Sequence, residues 1–217
     1  MNEKLLKNIA VQLRKPQGEL AVQVGEKMNV GNLQINLLTI DALDLKGSEN
    51  ILEIGMGNGF FVKNILLKHP NVKYSGCDYS EIMVQQAKII NAEFISAGRA
   101  QFHQTSAHEL PFENATFDKV FTINTIYFWD EASIVLAEIS RVLKPKGQII
   151  IAIRPRVTMQ HYPFIKYGFN MFSKEELAAL LTENNFKPIN ILEKSEPPQE
   201  IGGKTVPVEA LVVCAEK

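Results

Sequence analysis

The sequence has little of what marks an exported, membrane-spanning or nucleic-acid-coating protein. Its 217 residues hold only two cysteines. Cys77 and Cys214 each fall inside an apolar strand-like run, so buried reduced thiols are expected and not a bridge formed in an oxidising compartment. Clustered metal ligands are missing, and no metal is expected. No apolar stretch approaches the roughly 18 residues that a membrane span requires. The start, Met1-Asn2-Glu3-Lys4-Leu5-Leu6-Lys7, lacks the apolar core of a secretion signal. A cytoplasmic protein without a membrane partner is therefore expected. Charge of one sign is equally absent: 23 Lys and Arg stand against 24 Asp and Glu, a formal net of -1, and no basic block occurs. A broad nucleic-acid face has no support in that pattern. Neither internal repeats nor low-complexity tracts are found.

What is present suffices for one core, since 46% of residues are hydrophobic and the length fits a single domain with appendages. Leu5, Ile9 and Leu13 recur at four-residue spacing and predict a helix over 2–14, stopped by Lys15-Pro16-Gln17-Gly18. A second helix is predicted from about 32 to 45 on Leu33, Leu37 and Ile40, with residues 18–31 as a connection. Residues 1–45 thus form an N-terminal helical extension, which can act as a lid over a site or simply cover a sheet edge. It can also pair with a copy of itself, so a monomer and a homodimer both stay open.

The centre of the chain is Ile51-Leu52-Glu53-Ile54-Gly55-Met56-Gly57-Asn58-Gly59-Phe60-Phe61. An apolar run ends in an acid, breaks into glycines at alternate positions, and gives way to the helical pattern Val62, Ile65, Leu66, the signature of strand, tight turn and helix. Glycine allows positive φ and close approach of a ligand, and the next helix begins with unpaired amides. A dinucleotide fingerprint would need a glycine where Phe60 stands, and no Gly-Lys-Ser/Thr follows for a Walker loop. What remains, Glu-x-Gly-x-Gly-x-Gly, resembles motif I of the class I S-adenosylmethionine-dependent methyltransferases. That resemblance implies that Gly55, Gly57 and Gly59 lie against the methionine and ribose of S-adenosylmethionine, with Glu53 helping to hold the amino group. Residues 46–217 are then the methyltransferase domain.

Downstream stretches extend the likeness. Val72 to Cys77 predicts a second strand ending at Asp78, nineteen residues after Gly59, where a Rossmann-like strand presents an acid to ribose hydroxyls. Gly76-x-Asp78-x-Ser80-x-x-Met83 is similar to the family's G-x-D-x-S-x-x-M and places Tyr79 and Met83 near the nucleoside. After a third strand at 101–105 comes Ser106-Ala107-His108-Glu109-Leu110-Pro111-Phe112. The family usually has an aspartate where Ser106 stands, so the resemblance gives Ser106 and the Ala107 amide the adenine, with a shorter, uncharged acceptor. His103 and His108 are expected as strand or loop residues.

A fourth strand over 117–123 runs into Asn124-Thr125-Ile126-Tyr127-Phe128-Trp129-Asp130. Ligands in open α/β sheets sit at the carboxyl ends of strands, so Asn124 is a cofactor candidate, and Tyr127 and Trp129 are candidates for the substrate pocket or for the core. A helix at 131–143 and a strand at 148–153, apolar on both faces, follow. Residues 154–172 hold no period and are rich in rings; irregular loops of that length are often functional, and His161, Tyr162 and Phe169 are assigned to the acceptor. Ser173-x-x-Glu176 has the form of a capping box. Strands at 186–193 and 207–215, joined by a polar connection, then close the chain. The expected fold is α/β: the Rossmann-like class I methyltransferase fold, a mostly parallel seven-stranded sheet with a C-terminal antiparallel hairpin and helices on both faces.

The resemblance implies methyl transfer from S-adenosylmethionine to a small-molecule acceptor. A general base is needed only for a hydroxyl or acidic carbon, and Tyr127, Asp130, His161 and Tyr162 are open for it. Polyamine synthases, which use the decarboxylated cofactor, usually carry several acids in the fourth-strand loop, where this chain has only Asp130. A non-enzymatic binding or scaffold module on the same fold is the alternative, to which Ser106 lends weight.

Overall fold

A computed structural model describes residues 2–201 and 203–217. Three helices open the chain: α1 (Glu3–Arg14), α2 (Ala21–Gly31, after a 3-10 turn at Gly18–Leu20) and α3 (Leu33–Ala42). The α/β body follows as β1 (Asn50–Ile54), α4 (Val62–Leu66), β2 (Lys73–Asp78), α5 (Glu81–Ile90), α6 (Ala92–Ser96), β3 (Ala100–Gln104), β4 (Phe117–Ile123), α7 (Ala132–Val142), β5 (Leu143–Ile153), α8 (Arg156–Met159), α9 (Lys174–Glu183), β6 (Lys187–Ile201) and β7 (Lys204–Glu216). The expected fold class is the one observed. Seven strands form one sheet in the order β3-β2-β1-β4-β5-β7-β6, with β7 antiparallel to both neighbours.

Local chemistry explains most boundaries. Largely apolar runs make β1, the carboxyl half of β4 and the Ile149–Ile153 end of β5, and the central position of β5 buries both faces of that end. Ile149, Ile151 and Ile153 join the layer that includes α7 and α9, while Ile150 and Ala152 join the layer that includes α3 and α4. Ser80 caps α5 through its side chain, and Ser173 and Glu176 complete the capping box of α9. Because β1 and β4 lie side by side, the chain leaves the sheet centre in opposite directions there, and a crevice opens at their carboxyl ends.

Several elements differ from the sequence reading: β5 begins at Leu143 and not at 148, and the short α8 lies within the stretch 154–172 that shows no period. Residues 18–31 are largely helical and not a connection. Gly25 is the reason for both the missed pattern and the real packing: glycine weakens the helical signal, yet a Cβ there would stand 3.2 Å from the Met83 sulfur. The glycine lets α2 lie close on α5. The C-terminal strands are also longer than expected, because the polar connection with Pro197 and Pro198 is itself strand. A register shift between Glu196 and Gln199 takes up the prolines, and β6 is an edge strand, where a missing N–H breaks no ladder. Within the N-terminal segment, α3 belongs to the core through Ile35, Ile40 and Leu43, whereas α1 and α2 lie across the crevice.

Candidate active site

The crevice holds two adjoining cavities. The smaller, about 390 Å³, is built on the glycine turn. Cys77 fixes that turn by accepting from the amides of Gly55 and Met56 at 2.8 and 3.2 Å. Gly57 has φ 58°, and no atom lies within 4 Å of where its Cβ would stand, so its backbone faces open space. Gly55 has φ 76°, and a side chain there would collide with Thr125. Gly55, Gly57, Asp78, Tyr79, Met83, Ser106, Ala107 and Asn124 all line this cavity.

Asp78 is the charged centre of its floor. One carboxylate oxygen accepts from the Gly57 amide at 2.9 Å and the other from the Ser80 amide at 2.8 Å. Each oxygen keeps a further lone pair, enough for two vicinal hydroxyls. Burial pushes the carboxyl up to about 6, against the pull of the Ser80, Gly57 and Tyr79 amides. Ser106 Oγ lies 3.0 Å from His108 Nδ1 and accepts from the His108 amide at 3.3 Å. Trp129, a candidate for the acceptor pocket or the core, belongs to the core and borders this smaller cavity, with its indole N–H buried without a partner among the described residues.

Two residues of the motif do not line the cavity. Glu53 is turned into the sheet, where Tyr74 Oη donates to it at 2.6 Å, and burial raises its carboxyl to about 7. That bond engages one carboxylate oxygen, Oε2, of Glu53. Gly59 serves packing instead: a Cβ there would stand 2.9 Å from Asn91 Nδ2 and 3.0 Å from Ala87 Cβ, so glycine is what lets α5 approach the turn.

The larger cavity, about 590 Å³, lies beside the first and shares Leu13, Met28, Asn32, Asn124 and Phe128 with it. Its walls include Leu5, Ile9, Tyr127, Tyr162, Phe164 and Phe169. Tyr127, Tyr162 and Phe169 are therefore brought together as the sequence suggests, while His161 is exposed and lines neither cavity. Asn124 sits at the junction with φ 55°. Its Oδ1 accepts from Tyr127 Oη at 2.9 Å and from the Arg154 amide at 3.2 Å, and its Nδ2 donates to Asn32 Oδ1 at 3.2 Å. Burial holds the Tyr127 phenol well above its usual range, and its hydroxyl donates to Asn124 Oδ1 and the Arg154 carbonyl.

Sequence reasoning missed Arg154, Glu196 and Gln199. Arg154 Nη2 donates to Glu196 at 2.9 Å and to the Gly31 carbonyl at 2.8 Å, and Tyr162 Oη donates to Gln199 Oε1 at 2.9 Å. No local pattern marks partners 42 and 37 residues apart, and the prolines beside Glu196 disguise its strand. The cover is held by several small contacts. Arg14 meets Asp130 at 2.6 Å, Lys15 Nζ stands 3.9 Å over the Tyr79 ring, and Ser80 Oγ donates to the Pro16 carbonyl.

A glycine turn, an acid at the tip of the second strand and a crevice at the sheet's switch point define a nucleoside-binding α/β enzyme. Comparison narrows the class. Residues 52–151 match the family model described as a methyltransferase domain. The chain is 30% identical over 132 residues to the uncharacterized methyltransferase YdaC of Bacillus subtilis, covering 61% of this chain and 71% of that one. It is 31% identical over 124 residues to the ubiquinone/menaquinone biosynthesis C-methyltransferase UbiE of Desulfotalea psychrophila, covering 57% and 49%. A SAM-dependent methyltransferase from Aquifex aeolicus shares the fold at TM-score 0.68 and 18% identity, over 97% of each chain. The chain belongs to the S-adenosylmethionine-dependent methyltransferases, and S-adenosylmethionine is its cofactor. The open backbone at Gly57 and the free lone pairs of Asp78 fit that molecule.

Proposed function

We propose that the chain methylates a small molecule held in the larger cavity. The carrying observation is the junction: Asn32, Asn124 and Phe128 wall both cavities, so a cofactor in one and an acceptor in the other meet there. Bound S-adenosylmethionine supplies a methyl group already activated by its sulfonium. Asp78 accepts from the ribose hydroxyls, the Gly55–Gly57 backbone lies along the methionine portion, and Met83, Ser106 and Ala107 receive the adenine. Asn124 fixes the junction by tying α3's leading residue to the β4 tip.

The remaining task is positioning, with nucleophile, carbon and sulfur in line at an approach of roughly 3 Å. Helices α1 and α2 supply the outer wall of both cavities and act as the lid, excluding water from the reaction. No carboxylate or histidine is among the residues lining the larger cavity. An acceptor that is already nucleophilic, or that ionises before binding, suits such a site.

Incubating the purified protein with methyl-labelled S-adenosylmethionine and a fractionated cell extract tests this. Label in the small-molecule fraction supports the reading, and label confined to protein or nucleic acid overturns it.

A further inference from the structure

Charge is scarce in the wall of the larger cavity. Arg154 is neutralised by Glu196 at 2.9 Å, with both side chains buried, and Lys27, the other charged residue of the wall, is exposed. Two polar side chains, Asn32 and Asn124, belong to the walls of both cavities. Asn124 is engaged at both ends of its amide, by Tyr127 and the Arg154 amide at the oxygen and by Asn32 at the nitrogen. Asn32 is engaged at its side-chain oxygen alone. Its Nδ2 bonds nothing among the described residues and, unlike Arg154 Nη1, is not sealed inside the protein.

The direction of both amides is fixed from the backbone. The Arg154 N–H can only donate, so the atom of Asn124 that meets it at 3.2 Å is the oxygen. The Asn124 NH2 group then faces Asn32, which answers with its own oxygen at 3.2 Å. Asn32 is left with its NH2 group free at the place where methyl donor and acceptor meet.

From this, and resting on the small-molecule reading above, we propose that Asn32 selects and orients the methyl acceptor. Its NH2 group donates to a neutral lone pair, that of a carbonyl, an ether or a ring nitrogen, carried beside the reacting atom of an uncharged, apolar molecule. Burying an ion there costs more than burying the neutral molecule. An ammonium meets no acid in the wall, and a carboxylate meets only the exposed Lys27. In the transfer, the neutral nucleophile supplies the electron pair of the new bond to carbon and the sulfur keeps the pair of the bond that breaks. The positive charge passes from the sulfonium to the methylated product, and a proton on the reacting atom is then lost to water.

Equilibrium dialysis of the full chain, saturated with S-adenosylhomocysteine, against four probes of similar shape tests this: 1-acetonaphthone, 1-ethylnaphthalene, 1-naphthoate and 1-naphthylmethylammonium. The ketone should bind tightest, about fivefold or more above the hydrocarbon, the usual net contribution of one neutral hydrogen bond, and both ions should bind more weakly than the ketone. Asn32→Asp keeps the shape and an oxygen for Asn124 but puts a carboxylate where the donor stood. It should erase the preference for the ketone over the hydrocarbon and make the ammonium the tightest probe, an inversion that a loosened fold does not produce; a cooperative thermal transition checks that the variant is folded. Should it fail to fold, the wild-type ranking decides alone. If the hydrocarbon or either ion equals the ketone, or if the ketone keeps its preference in folded Asn32→Asp, the proposal is overturned and the small-molecule reading stands. If none of the four binds a protein that binds S-adenosylhomocysteine, the proposal and the assignment of the larger cavity fall together. Failure of S-adenosylhomocysteine itself to bind the wild type removes the methyl-transfer reading as well.

Discussion

Asn124 and Asn32 stand 92 residues apart in the chain and bond side chain to side chain, Nδ2 to Oδ1, at 3.2 Å. One belongs to the tip of β4 and the other to the turn between α2 and α3. Through this bond the covering helices are registered on the sheet at the point where the two cavities meet.

Replacing Asn124 with alanine should therefore slow methyl transfer by roughly tenfold or more, with a smaller effect on cofactor affinity, since a misplacement of about 1 Å is costly to an in-line reaction. The backbone there has φ 55°, which asparagine tolerates better than alanine. Asn124→Gly relieves that strain but not the lost bonds. If its rate is restored to the wild-type value, the side-chain bonds are not what matters.

Asp78→Ala should weaken S-adenosylmethionine binding by more than about tenfold, near 1.4 kcal/mol. The same carboxyl, raised by burial to about 6, gives affinity a pH dependence. Only the ionised form can accept from both hydroxyls while holding the Gly57 and Ser80 amides, so affinity should fall as pH drops from 7 to 5. Calorimetry across that range checks it, and a flat profile would remove the ribose assignment.

Burial of Glu53 ties stability to pH in the same direction as burial of Asp78 does. Its folded value of about 7 lies above the ordinary glutamate value of 4.5, so the folded state holds its proton more tightly than the unfolded chain does. Stability from this group is fully present below about 4.5 and is lost as pH rises through about 7. Glu53→Gln keeps an acceptor for Tyr74 and carries no charge, so its Tm should fall less than that of the wild type between pH 5 and 8. An equal fall in both proteins would assign the slope to Asp78 and other groups.

The close approach at Gly25 allows a test of the cover. Gly25→Ala meets the flexible end of Met83 at 3.2 Å and the Asn58 amide nitrogen at 3.4 Å, ends of side chains that can give by a few tenths of an ångström, and should change little. Gly25→Leu must push α2 away from α5, opening the outer wall, and should weaken both the cofactor and the acceptor while leaving Tm nearly unchanged. Hydrogen exchange in α1 and α2 should rise in this variant.

How much of this was legible depended on whether a feature was local. The strand–turn–helix at Glu53 to Leu66, the acid at the end of β2 and the capping box at Ser173 each announce themselves within a few residues, and the fold class follows from their order. Helix α2 was hidden because Gly25 serves a contact with Met83, far away in sequence, at the expense of helical propensity. Glu53 and Gly59 fit their motif yet face Tyr74 and Asn91, because the motif records residue types and not the direction in which each side chain leaves the strand or turn. Arg154 was invisible as a site residue, since its meaning comes only from Glu196 on a strand whose prolines read as a loop.

Leu13 and Met28 belong to the walls of both cavities and are carried by α1 and α2. A single displacement of those helices thus unseals the two compartments at once. With α1 and α2 as the proposed lid, turnover would be timed by one door: spent cofactor and methylated product would share their moment of escape, and neither site would be refilled while the other stayed closed.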